Sequence, residues 1–247
     1  MVTTRDAAAM LDIVQEGMSA NGTEIFPRSV LERLARLIPS DALAGYQEVD
    51  VSRGCELVAR VDVVGQTVPA QVVAASKRGY HEDPLRDPLR VRESRVLRLA
   101  DFVRRSELRR LRFYAEVWRP LGIDDRLRMW LPAPNGRARA FFFERSGRAY
   151  AERDRTLLQL LRPHLIRIER SAAFRRSAKK AFGLTDREAE VLGWVHNGKT
   201  NREIAAVLQV SPYTVRTHLE SVFDKLDVHT RTAAAARFAA IQVAGHS

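Results

Sequence analysis

Cysteine is nearly absent. Cys55 is the only one in 247 residues, so the chain can form no internal disulfide and no zinc site of the multi-cysteine kind. Cys55 reads as a small core residue. Lysine is scarce as well, at Lys77, Lys179, Lys180, Lys199 and Lys225, and arginine carries nearly all the positive charge. The formal net charge of +11 is compatible with a nucleic-acid partner but does not establish one. An arginine bias of this kind follows from a GC-rich genome, and the arginines crowd between Arg86 and Arg119. No window approaches twenty uninterrupted apolar residues, which excludes a membrane-spanning helix from the sequence pattern. The opening MVTTRDAAAMLDIVQEG has early acids and no long apolar core, unlike a secretory signal. The expectation is a cytoplasmic protein with no membrane partner.

Catalytic signatures are missing too. There is no nucleophile elbow, no P-loop, no glycine-rich dinucleotide loop and no His/Cys cluster. No catalytic residue, metal or cofactor is expected, and the chain does not read as an enzyme. His81, in the polar stretch Tyr80-His-Glu-Asp83, reads as solvated rather than as a ligand to metal or haem.

What is present is most regular in the last third. Thr185-Asp-Arg-Glu188 is a capping box, a hydroxyl at the N-cap with a glutamate three residues on. Ala189, Val191, Leu192 and Val195 supply the apolar side of the helix that follows, and Asn197-Gly198 ends it. Thr200-Asn-Arg-Glu203 is a second capping box, for a helix that buries Ile204, Ala205 and Leu208. Only Gln209 and Val210 then precede SPYTVRTHLESVFDKL, with Ser211 at the cap and Pro212 at the first helical position. In that stretch Val215, Leu219, Val222 and Leu226 share one face. Tyr213, Arg216, Thr217 and Glu220 share the other. Two short helices joined so tightly form a helix-turn-helix. Asp227-Val-His229 breaks the chain, and Thr230 to Thr232 opens an alanine-rich last helix reaching about Val243. The result is a compact bundle of four short helices.

The preceding region reads as mixed α and β. An amphipathic helix is expected over 27–38. Valine-rich strands are expected near 43–51, 56–64 and 68–75, and a loop around Pro84 and Pro88. Helices follow at 91–105 and 107–119, then strands at 126–131 and 137–144 joined by the turn Pro132-Ala-Pro-Asn-Gly136. A long helix runs from about Glu152 to Ala178. The fold class is therefore α+β, with an antiparallel sheet flanked by helices ahead of an all-α four-helix domain. The expected divisions are 1–170 as a sensory and dimerisation domain, 171–182 as a basic helical linker, and 183–247 as the helix-turn-helix domain. Leu157, Leu158, Leu161, Leu165 and Ile168 lie near one side of the long helix. They serve equally well as a dimer surface or as packing on the helix's own sheet.

The segment from Phe182 to Ala240, through LTDREAEVL, the glycine of NGKTNREIA, SPYTVRTHL and DKLDV, closely resembles the LuxR/GerE/FixJ-type helix-turn-helix. The resemblance implies a sequence-specific transcription regulator whose third helix enters the major groove. The residues themselves point the same way. A recognition helix packs one side on its partners and offers the other to base edges. Arg216 matches guanine O6 and N7, Glu220 accepts from cytosine N4, and Thr217 takes a base or a thymine methyl. Backbone contacts are expected from Lys199, Thr200 and Asn201, and from Ser211, Tyr213 and Thr214, all near helix N-termini that favour anions. Lys225 is expected to reach the backbone from the far end, and His218 either touches phosphate or packs in the bundle. Ala233, Ala236, Arg237 and Ala240 mark the last helix as a dimer contact, with packing inside the chain as the alternative. Double-stranded DNA and a second copy of the chain are the expected partners, with RNA polymerase and an unidentified small-molecule effector as further candidates.

FYAEVWRPLGI, RLRMWLPAPNGRARAFFFER and AYAERDRTLLQLLRPHL resemble GAF-type sensory domains. That likeness implies an antiparallel sheet with a candidate ligand cavity and names no ligand. A phosphorylated receiver domain does not fit, because no acidic pair precedes Asp62 at the right place. An acyl-homoserine-lactone-binding domain is disfavoured, because Trp118 and Trp130 fall outside its aromatic pattern. Two other function classes compete. One is a protein-interaction regulator that has lost DNA binding, which Lys199, Asn201, Arg216 and Lys225 argue against. The other is an enzyme with an accessory helix-turn-helix.

Overall fold

A computed structural model describes residues 2–20, 24–51, 53, 56–64, 67–86, 96–132 and 137–244. Cys55, Pro88, residues 91–95 of the first expected middle helix, and most of the turn after Pro132 lie outside the described residues. By its contacts the chain divides into two compact units, residues 1–13 with 28–164, and residues 14–27 with 165–247.

The first unit is built on one antiparallel sheet. Its strands are β1 (Leu43–Asp50), β2 (Glu56–Asp62), β3 (Val96–Arg98), β4 (Asp125–Pro132) and β5 (Arg137–Arg145). Their spatial order is β2-β1-β5-β4-β3. The central strand β5 is buried from Ala138 to Phe143 on both side-chain parities, so the middle of the sheet is covered on both faces, whereas the edge strand β2 is exposed. On one side, helix α2 (Arg28–Leu37) buries Val30, Leu31, Leu34 and Leu37 and packs against β1. On the other, Leu43, Val49, Trp130, Ala140 and Phe142 of the sheet share a core with Val72 and Ala75 of helix α3 (Ala70–Gly79) and with Phe113, Val117 and Trp118.

Helix α1 (Thr4–Ser19) is not foreseen in the sequence reading. Its signal is a reciprocal cap, in which Thr3 N donates to the Asp6 carboxylate at 2.8 Å and Asp6 N donates to Thr3 Oγ1 at 3.2 Å.

Three expectations in the middle of the chain need correction. Residues 68–75 were expected as a strand, yet residues 70–79 form helix α3. Valine content favoured a strand, but Pro69 at the N-cap and the three-residue spacing of the buried Val72 and Ala75 set the helix, and Val73 is left exposed. The expected helix over 91–105 contains strand β3, whose Val96, Leu97 and Arg98 pair with Met129, Arg128 and Leu127. A 3₁₀ turn at Leu99–Asp101 follows. The expected helix over 107–119 is broken into α4 (Arg105–Leu108), a π-helical turn at Tyr114–Trp118 and a 3₁₀ turn at Arg119–Leu121. Pro120 and Gly122, the latter at φ +68°, stop it there.

Helix α5 (Glu152–Phe182) runs unbroken through the stretch expected as a linker and contributes residues to both units. Its Leu157, Leu158, Leu161, Leu165 and Ile168 are all buried within the chain, which favours packing over a free dimer surface for these five. Gly183, at φ +63°, closes the helix, with Leu184 N donating to Lys179 O at 3.1 Å.

The second unit adds α6 (Asp186–His196), α7 (Asn201–Leu208), α8 (Pro212–Leu226) and α9 (Arg231–Ala244). Two buried clusters join them. Val191, Val195, Ile204, Leu208, Val215 and Leu219 pack α6, α7 and α8 together, and Leu192, Val222, Leu226, Ala234 and Phe238 add α9.

Gly45 marks the tightest approach in the sheet. A Cβ there would sit 1.9 Å from the Val61 carbonyl oxygen of β2, a backbone atom with no rotamer to give. Gly45→Ala is expected to weaken the β1–β2 pairing and lower stability by about 1–3 kcal/mol. Urea unfolding followed by tryptophan fluorescence checks this, and an unchanged midpoint would contradict the described register.

Candidate functional site

The helix-turn-helix is set by three caps. Thr185 Oγ1 accepts from Glu188 N at 3.2 Å and Thr200 Oγ1 accepts from Glu203 N at 3.3 Å, each with the glutamate reaching back. Ser211 Oγ accepts from Thr214 N at 3.0 Å. Gln209, at φ 53°, makes the tight connection between α7 and α8. Val215, Leu219, Val222 and Leu226 of α8 are buried, as their spacing requires.

The opposite face of α8 is free of the fold. Tyr213 is 78% exposed, and Arg216, Thr217, Glu220 and Asp224 are exposed beside it. Arg216 Nε donates to Glu220 Oε1 at 2.9 Å. Helix-surface pairs at this spacing contribute about 0.3–0.5 kcal/mol, and the order arginine-then-glutamate is the weaker one. The pair therefore opens readily to a competing partner. Thr217 Oγ1 bonds back to Tyr213 O at 3.2 Å.

The other expected contact residues are placed as follows. Ser211 Oγ and Thr214 Oγ1 share a hydrogen bond of 2.8 Å at the start of α8. Lys199 Nζ lies 3.2 Å from Glu203 Oε1. Asn201 Oδ1 accepts from Arg231 Nη1 at 2.8 Å, and Arg231 also donates to Lys199 O, so the start of α9 is clamped to the start of α7. His218 is half-buried. On α9, Ala236, Arg237 and Ala240 are exposed and Ala233 is half-buried, while Ala234 and Phe238 face inward. Packing inside the chain thus falls to Ala234 and Phe238.

Lys225 has a partner that the sequence reading missed. Its Nζ lies 2.6 Å from Glu188 Oε2, and Ser221 Oγ donates to Glu188 Oε1 at 2.6 Å. Burial alone would raise the Glu188 pKa. Hydrogen bonds from Lys225, Ser221 and Thr185 outweigh it and hold the carboxyl down at about 2. Glu188 thus serves both as cap and as anchor between α6 and α8.

The first unit holds a cavity of about 460 Å³, open on one side to solvent, between the sheet and the cover formed by α3 and residues 113–123. Its walls are apolar, from Leu43, Val49, Val72, Val117 and Trp118 among others. Beside them lies a buried charged network. Arg126 donates to Asp83 Oδ2 at 2.8 Å and, through Nη2, to Glu144 Oε1 at 2.7 Å. Arg128 Nη1 reaches the same Asp83 oxygen at 3.2 Å. Burial would raise the Asp83 pKa, and the Arg126 and Arg128 guanidiniums beside it hold it below the usual carboxylate range. The Trp130 indole donates to Leu85 O at 3.2 Å, just after Asp83. Trp118, set aside on sequence grounds, forms part of the cavity wall, and Trp130 belongs to the same core cluster. His81 is exposed, its Nδ1 3.1 Å from Arg78 O. Among the described residues there is no His, Cys, Asp or Glu cluster suited to a metal ion, and no helix is long and apolar enough to cross a membrane.

The chain thus carries a capped helix-turn-helix with an exposed arginine-bearing face and an α/β unit with a cavity of its own. Residues 183–238 match the family model described as bacterial regulatory proteins, luxR family. Over 57 residues the chain is 49% identical to the uncharacterized transcriptional regulatory protein YhcZ of Bacillus subtilis, covering 23% of this chain and 27% of that protein. Over 52 residues it is 48% identical to the transcriptional regulatory protein LiaR of the same organism, covering 21% and 25%. The chain therefore spans about a quarter of the length of these curated relatives, and the matched part is a luxR-type regulatory module. A solved structure of SdiA in complex with octanoyl-rac-glycerol is similar along 98% of this chain and 97% of its own, at 20% identity and a TM-score of 0.50. That likeness is one of fold. The mixed α/β domain with an antiparallel sheet expected from the sequence is present, and its fold is similar to that of SdiA.

The Glu188 anchor makes a pH-dependent contribution. Its folded-state pKa lies below the ordinary 4.5, so its stabilisation is fully present above about 4.5 and is lost as pH falls toward 2. Lys225→Met is expected to reduce protection of α6 and α8 amides at neutral pH by about 1.5–3 kcal/mol and to flatten the fall in protection below pH 4.5. Hydrogen exchange on the full chain measures both, and unaltered protection would remove Glu188–Lys225 as an anchor.

Proposed function

We propose that the chain is a homodimeric, sequence-specific regulator of transcription that reads double-stranded DNA through α8 and responds to a small molecule held in the cavity of its first unit. The observation that carries this reading is the exposed set Arg216, Thr217 and Glu220 on the second helix of a capped helix-turn-helix, within the stretch that matches the luxR family. These three are the base-reading residues. Lys199, Thr200, Asn201, Ser211, Tyr213, Thr214, His218 and Lys225 surround them as backbone contacts, several at helix N-termini where amides and dipole favour phosphate. Ala233, Ala236, Arg237 and Ala240 supply the dimer contact, supported by the outward placement of the last three. Two copies engaging two half-sites raise the affinity that one small module lacks. RNA polymerase is the further partner through which such binding changes transcription, and the cytoplasm is where the DNA lies. The effector reading is supported by the cavity of about 460 Å³ and by a fold shared with SdiA, which was solved with octanoyl-rac-glycerol.

Selection of bound duplexes from a random pool by the full chain tests the DNA reading. A defined motif is expected. Arg216→Ala should cost about 1–3 kcal/mol on the selected site and much less on random DNA. Glu220→Ala should relax the preference at one base pair with little loss of affinity. Lys199→Ala should weaken both DNAs about equally and reduce the salt slope by about one. If the selected motif is the same for Arg216→Ala, Glu220→Ala and the parent, α8 does not read the sequence.

A further inference from the structure

The cavity floor carries a polar pair that the fold does not use. Gln47 of β1 and Arg60 of β2 are direct register partners, so their side chains leave the sheet on one face, side by side. Both line the cavity. Gln47 is only 3% exposed, and its amide makes no hydrogen bond to any described residue. A buried amide normally finds partners for its two donors and its acceptor. Arg60 lies flat against a ring, its guanidinium carbon 4.1 Å from the centroid of the buried Phe142. Its side chain is 31% exposed at the open side of the cavity, and of its five N–H groups one has an acceptor among the described residues, Asp62 Oδ2 at 3.5 Å, the limit of a hydrogen bond.

The carboxylates nearby are already committed. Asp62 Oδ1 accepts from Ala44 N at 3.3 Å and from Val64 N at 3.2 Å. Asp83 and Glu144 are held by Arg126 and Arg128. Among the lining residues the acids Asp83 and Glu144 face Arg126 and Arg128, Asp62 lies just outside the lining beside Arg60, and Arg53 and Lys77 add further positive charge. What stays unmet is a planar guanidinium fork beside an amide donor, with apolar walls around them. A carboxylate matches that fork in shape and charge, since its two oxygens accept parallel N–H bonds.

We propose that this cavity selects an amphiphile bearing a carboxylate, with the head on Arg60 and Gln47 and the aliphatic or aromatic body against Val72, Val117 and Trp118. Stacking on Phe142 holds the Arg60 fork in place before the ligand arrives, which lowers the ordering cost of binding. The proposal rests on the effector reading above and specifies the ligand class of that same cavity.

Octanoate and octanoyl-rac-glycerol share a tail and differ in the head, so the pair isolates the head group. Titration of the full-length protein with each, followed by calorimetry and by Trp118 fluorescence, is expected to give octanoate at least about tenfold the tighter Kd. Arg60→Met keeps the stem over Phe142 and removes the charge. It should weaken octanoate about tenfold or more and leave the glycerol ester unchanged, while Arg60→Lys restores part of the loss. Gln47→Leu should weaken octanoate to a smaller degree. Equal or tighter binding of octanoyl-rac-glycerol, or octanoate binding indifferent to Arg60→Met, overturns the carboxylate assignment and leaves the effector cavity standing. Failure of both ligands to bind overturns the effector reading with it.

Discussion

The first unit depends on one constraint. The central strands, covered on both faces, offer their polar side chains little water, so a charge buried there must find a partner inside the protein. Arg126 meets it most fully, spending its guanidinium on Asp83 and Glu144 at distances of 2.7–2.8 Å. Asp83 is turned inward by Leu85 N, which donates to its other oxygen at 2.9 Å. On the opposite parity Glu48 takes Arg137 and Arg139, each at 2.6 Å. Removing one member of a fully buried pair such as Arg126–Asp83 costs about 3–5 kcal/mol, and the half-exposed Arg137 contributes less. These arginines are therefore structural, and they account for part of the excess basic charge that composition alone leaves open to a nucleic-acid reading. Against that background the buried and unpartnered Gln47 stands apart, while Arg60, on the solvent-exposed edge strand β2, keeps its side chain 31% exposed.

The legibility of the sequence varies with the range of the forces involved. The second unit is local. Capping boxes at Thr185 and Thr200, the Ser211-Pro212 start and the apolar spacing through Leu226 are each determined within a few residues, and each holds in the structure. The first unit is governed by contacts far apart in sequence. Strands β1, β4 and β5 and helix α2 carry periodicity of their own and are found close to the expected positions. Residues 68–75 and 91–105 do not. Valine runs suit either a buried helix or a strand, and a three-residue strand such as β3 has too little pattern to declare itself. Nothing in the local sequence ties Asp83 to Arg126, forty-three positions away, or Gln47 to Arg60 across a hairpin. The first pairing comes from where the turn after α3 sets Asp83 against the sheet, the second from strand register. The Thr3–Asp6 cap that starts α1 was present in the sequence but had no apolar run strong enough to mark it.

The contact face of α8 shows the same limits from the other side. Its exposure is legible, because burial of Val215, Leu219, Val222 and Leu226 forces Arg216, Thr217 and Glu220 outward. The role of Lys225 is only half legible. Helix position marks it as a cation near the end of α8, yet its Nζ lies on Glu188 of α6, the residue that also caps that helix. One carboxylate thereby fixes the start of α6 and the far end of α8, which sets the angle at which α8 is presented.

The Arg216–Glu220 pair then acquires a specific meaning. An isolated arginine on an exposed helix samples many rotamers, and ordering it on a base has an entropic cost. A carboxylate one turn away restricts it beforehand through a bond worth only about 0.3–0.5 kcal/mol. That is strong enough to bias the side chain and too weak to compete with a bidentate contact to guanine, worth about 1–3 kcal/mol. On the proposed DNA reading, Glu220 would contribute to recognition in two ways that do not conflict. It holds Arg216 over the helix face before DNA is met. Once the guanidinium turns to its base, the carboxylate is released toward a neighbouring cytosine amino group, a base-edge donor in the major groove that it can accept from.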